Sequence, residues 1–187
     1  MTFKTTLTAG AAALAIATGA FAANHASNPM VGGAEMFPTN NIIENAVNSA
    51  DHETLVAAVK AAGLVDTLMG AGPFTVFAPT DDAFAKLPAG TVETLLKPEN
   101  KDTLVKILTC HVVGTNAMSA ALKGMIDDDA GTHPVSTLGG CTLQASYEGD
   151  KIMLTDEAGN VAHVTIADVA QSNGVIHVID TVMLPKM

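Results

Sequence analysis

The chain contains no arginine and no tryptophan, and only one tyrosine, Tyr147. Without arginine it cannot form the forked guanidinium contacts that read phosphates and base edges. Its net charge of −10 would also repel a polyanion, so nucleic acid is excluded as the expected partner. With so few aromatics it lacks the platforms on which sugars usually stack. What is present is apolar: 48% of the 187 residues are hydrophobic and 15% charged, and mean hydropathy is +0.33. That much apolar side chain excludes a disordered chain, and the length suits one domain.

Residues 1–22 read as a secretory signal. Lys4 and the amino terminus are positive, Leu7–Ala20 is uncharged and Ala-rich, and Ala20-Phe21-Ala22 has the small-x-small pattern of a cleavage site. No second long apolar run follows, so no transmembrane segment is expected in the mature chain, and the destination is the periplasm or the cell exterior. Export would place Cys110 and Cys141 in an oxidising compartment, which favours a disulfide over two buried thiols. Residues 23–36 are rich in small and turn-forming residues and read as a flexible arm, with the domain at 37–187.

The first half of the domain has helical spacing. Asn40 or Asn41 can cap a turn carrying Ile42, Ile43 and Ala46, and Ser49 or Asp51 can cap a helix carrying Leu55, Val56, Val59 and Ala62. Phe74–Ala78 reads as a buried strand stopped by Pro79. Thr80 then caps a helix with Asp81 and Asp82 in its first turn, and Pro98 opens a longer one. After His111 the segments 135–138, 141–147, 151–155, 162–169 and 175–184 read as strands, separated by glycine-containing turns. Helices followed by consecutive strands give an α+β fold with an antiparallel or mixed sheet.

The segment Phe74–Pro88, FTVFAPTDDAFAKLP, resembles the first signature of the fasciclin domain, and Ser172–Pro185, SNGVIHVIDTVMLP, resembles the second. Between them ILTCHVV occupies the place of the family's Tyr-His motif, with Cys110 where tyrosine is usual and His111 at the histidine. The whole chain from about Phe37 is similar to the small, secreted, single-domain bacterial members. The resemblance implies a twisted β-sandwich or wedge with several helices packed around it. Within the signatures, Phe74, Thr80, Asp82, His111, Asn173, Gly174 and His177 read as structural. Phe74 supplies core area, Thr80 and Asp82 satisfy helix-start donors, and Asn173-Gly174 makes a turn with positive φ.

Chemistry finds little support in the residue pattern. The six histidines, His25, His52, His111, His133, His163 and His177, show no metal-ligand spacing, so no metal and no cofactor are expected. No Gly-x-Ser-x-Gly elbow appears, and Asp127–Gly131 fails the calcium-loop pattern and reads as a solvated acidic loop. No catalytic residue is assigned, and no enzyme is expected. The fasciclin resemblance instead implies a secreted adhesion or matrix-contact module. Its partner would be a cell-surface or matrix protein, or a polysaccharide, with protein favoured by the scarcity of aromatics. Asp168 and Val169, matching the Asp-Ile-type segment of some members, are the candidate contact, on the expectation that Asp168 is exposed. The alternative is a carrier of an apolar molecule such as a carotenoid, suggested by algal members and by nine adaptable methionines.

Overall fold

A computed structural model describes residues 28–186, so the expected signal segment lies outside the described residues. Strands β1 (Met30–Val31) and β2 (Ala34–Glu35) pair antiparallel through Gly32-Gly33, whose φ values of 55° and 74° suit a two-residue hairpin turn. Val31 and Met36 are buried in the main core, which corrects the reading of this stretch as a flexible arm. Pattern reasoning saw the glycines but not the two apolar anchors.

Helix α1 (Ile42–Ala46) starts at a capping box. The Asn41 side chain accepts from the Glu44 N–H at 2.9 Å, and the Glu44 carboxylate accepts from the Asn41 N–H at 2.8 Å. Helix α2 (Glu53–Ala62) has no local side-chain cap. The Asp81 carboxylate does that work from 27 residues further along, accepting from Thr54 N–H at 2.8 Å and Glu53 N–H at 3.2 Å. Ser49 and Asp51 are therefore not the caps. Helix α3 (Val65–Met69) leads to strand β3 (Phe74–Pro79). Thr80 caps α4 (Asp81–Ala85) by accepting from Ala83 N–H at 3.2 Å, while Asp82 stays exposed in the first turn. Helix α5 (Thr91–Leu95) and a 3-10 turn at Pro98–Asn100 precede α6 (Lys101–Thr109), which buries Leu104, Ile107 and Leu108.

Two further elements depart from the expected run of strands. Val112–Val113 forms the short β4, and Ser119–Asp128 is a helix, α7, so Asp127 and Asp128 end a helix rather than form an acidic loop. The remaining strands are β5 (Thr132–Ser136), β6 (Thr142–Glu148), β7 (Lys151–Thr155), β8 (Val161–Gln171) and β9 (Gly174–Ile179). They make one mixed seven-stranded sheet in the order β4-β3-β9-β8-β7-β6-β5, antiparallel except for the β3–β9 pair. One core cluster packs helices α1–α6 against β3 and β9, and a second lies between α7 and β5–β8. The fold is α+β, as expected.

The two outer strands of this sheet, β4 and β5, nearly meet. Leu138 N–H, just past β5, donates to the Val112 carbonyl at 2.8 Å, and Gly139 N–H donates to the Thr109 carbonyl at 3.0 Å. Cys110 and Cys141 are joined by a buried disulfide at the same seam, with Cα atoms 5.4 Å apart. The cross-link thus fastens the place where the wedge closes, between the end of α6 and the start of β6.

Candidate functional site

Titratable side chains gather where the second signature meets the first. His177 on β9 is fully buried and stacks on Phe77, ring centroids 5.7 Å apart. Its Nδ1 accepts from the Asp168 N–H at 3.2 Å, and its Nε2 donates to the Ala117 carbonyl at 2.8 Å. Both nitrogens are engaged by backbone, which fixes one neutral tautomer, and burial pushes the imidazole below its ordinary pKa.

Asp168 sits at an irregularity in β8 where the pairing with β9 shifts, with a left-handed φ of 59° that aspartate tolerates better than most residues. Its carboxylate accepts from Ser119 N–H at 2.7 Å and from the Ser119 hydroxyl. The residue before α7, Met118, offers no acceptor, so Asp168 caps that helix from the sheet and places negative charge at its positive end. Val169 beside it is 1% exposed and belongs to the main core. The expectation of an exposed Asp168-Val169 contact is corrected: one side chain is buried and the other is occupied in holding α7. A two-residue pattern could not reveal a helix start 49 residues away.

Ser119, Asp168 and His177 are thus linked, but in the wrong order for nucleophilic catalysis. The Ser119 hydroxyl donates to a carboxylate, and neither His177 nitrogen is free to take its proton. The arrangement positions backbone; it does not activate oxygen.

His111, at the end of α6, is bound in the same manner. Its Nδ1 donates to the Ile107 carbonyl and its Nε2 accepts from Met183 N–H, at 2.8 and 2.9 Å. Complete burial lowers its pKa to about 4, with the Ile107 carbonyl and Asp156 opposing the shift. Asn173 ties the β8–β9 turn to two helices, donating to the carbonyls of Leu68 and Gly70 and accepting from Ile42 N–H at 3.1 Å. Gly174 opens β9 without a positive φ. Glycine is required there because a Cβ would lie 2.0 Å from the Phe74 carbonyl oxygen, which corrects the turn-based reading. Phe74 is half-buried against the main core. Sequence reasoning missed Thr75, fully buried on β3, whose hydroxyl donates to the Thr115 carbonyl at 2.6 Å and accepts from Ala117 N–H at 2.8 Å. A threonine in a β-prone run carries no signal of that role.

No group of three or more His, Cys, Asp or Glu side chains placed to hold a metal occurs among the described residues. Two apolar cavities of about 30 Å³ each flank α1, and a larger groove of about 470 Å³ beside Ser119, Lys123 and Tyr147 is partly polar. Among the described residues no helix is long and apolar enough to cross a membrane.

The geometry defines a sheet wedge whose polar interior serves its own backbone. The chain belongs to the fasciclin family: the Fasciclin domain model matches residues 50–185. Protein sll1483 of Synechocystis sp. is 52% identical over 146 residues, covering 78% of this chain and 74% of that protein. Cell surface glycolipoprotein MPB83 of Mycobacterium bovis is 39% identical over 122 residues, covering 65% of this chain and 48% of that protein. The solved FAS1 domain pair of the insect cell adhesion molecule Fasciclin I has the same fold, with a TM-score of 0.68 at 19% identity, over 78% of this chain and 51% of that one.

Proposed function

We propose that this protein is an exported, non-enzymatic contact module whose outer surface binds a cell-surface or matrix protein. The observation that carries the reading is membership of the fasciclin family, with a relative described as a cell-surface protein. The engagement of Ser119, Asp168, His111 and His177 within the fold agrees with it, because these are the side chains a catalytic reading would need. Export rests on the N-terminal pattern of residues 1–22. Cells lacking the gene should attach to surfaces and form biofilm several-fold less than cells carrying it, and a plasmid copy should restore attachment. Attachment unchanged by the deletion would remove the reading.

A further inference from the structure

A groove of about 470 Å³ opens where α7 meets the β6–β7 hairpin, a volume within the range of small-molecule sites. Its apolar part comes from the sheet: Ile152 of β7 and Val164 of β8 line it, and both belong to the core cluster under α7. Its polar part is cationic. Lys123 of α7 and Lys151 of β7 line it against the carboxylate of Asp150, although the whole chain has 9 lysines and 19 acidic residues. Among the described residues neither of these lysines is in a salt bridge. Two neighbouring carboxylates are engaged elsewhere, Asp168 by Ser119 and Glu148 by His163 at 3.6 Å. Asp127, one helical turn beyond Lys123, is the other acidic group close to this wall.

Tyr147 completes the wall. The Lys123 ammonium lies over its ring, 5.5 Å from the centroid. The phenol oxygen is shielded from solvent and has no hydrogen-bond partner among the described residues. A buried tyrosine hydroxyl ordinarily finds a partner, and one left unpaired is costly.

We infer that this groove binds a small organic carboxylate with a short apolar body, its charge held by Lys123 and Lys151 and its body resting on Ile152 and Val164. The ligand class follows from what each part of the wall lacks. The two ammoniums lack an anion and the Tyr147 O–H lacks an acceptor, and a carboxylate has acceptor sites for all of them. Lys123 is exposed and long, so it can swing off the ring to meet an incoming anion and uncover the phenol. Inorganic phosphate would serve the lysines but leave the apolar floor wet. A neutral apolar molecule would do the reverse, and a sugar would need the Tyr147 face that Lys123 covers.

Hexanoate titrated into the isotope-labelled protein, followed by amide NMR, tests this. Saturable shifts should appear at millimolar concentration and gather at Ser119, Ala120, Lys151, Ile152 and Thr165. Acetate, which lacks the body, and hexanol, which lacks the charge, should each bind at least about tenfold more weakly. Lys123→Gln and Lys151→Gln should each weaken hexanoate by about fivefold and leave hexanol unchanged. Tyr147→Phe should weaken hexanoate as well. Absence of saturable shifts in this groove, hexanol binding as well as hexanoate, or full hexanoate affinity in the Lys123→Gln/Lys151→Gln protein would each overturn the inference.

Discussion

Replacing both cysteines by alanine is expected to lower the unfolding free energy by about 3–4 kcal/mol. The cross-link joins positions separated by 31 residues, and the chain-entropy cost of leaving a loop of that size open in the unfolded state is of this order. The native state loses as well. Among the described residues only two backbone hydrogen bonds, from Leu138 and Gly139, otherwise join the β4 and β5 sides where Cys110 and Cys141 lie. Urea denaturation of the oxidised protein beside Cys110→Ala/Cys141→Ala checks this through the midpoint and slope. A loss below 1 kcal/mol would mean that the seam stays closed without the sulfurs and that the unfolded chain is already restricted there.

His177→Ala is expected to cost about 3–5 kcal/mol. It removes a fully buried ring stacked on Phe77, and it leaves the Asp168 N–H and the Ala117 carbonyl without partners. The damage should spread to α7, because Asp168 holds its left-handed backbone partly through His177 and caps that helix through Ser119. Thermal unfolding should shift down by roughly 6–20 °C, and exchange should rise first at Leu122 and Ile126. Loss of stability without extra exchange in α7 would place the role of His177 in packing alone.

The legible part of this fold was local. Asn41, Thr80 and the apolar spacing of α2 and α6 each announce an element within one or two turns, and the elements are there. The illegible part was made at a distance. Helix α7 buries only Leu122 and Ile126, contains Gly124, and receives its cap from Asp168 on the sheet, so its ten residues carry almost no start signal. Asp81 caps α2 while sitting in the first turn of α4, where the sequence assigns it only a dipole role. The motif positions were recognisable as a set, yet their partners were not: nothing in SNGVIH says that His177 bonds Ala117 or that Asn173 reaches backbone groups of Ile42, Leu68 and Gly70. The candidate contact at Asp168-Val169 failed for the same reason, since exposure depends on what packs over a strand.

The central claim is that the buried polar cluster supports the fold and that attachment is made by the outer surface. Asp168→Asn, expressed in cells lacking the gene, tests it when attachment and thermal unfolding of the purified variant are measured together. The account expects attachment to follow the amount of folded protein, with a modest drop in melting temperature from the weakened α7 cap. Abolished attachment with an unchanged melting temperature would contradict it, because Asp168 would then be acting on a partner.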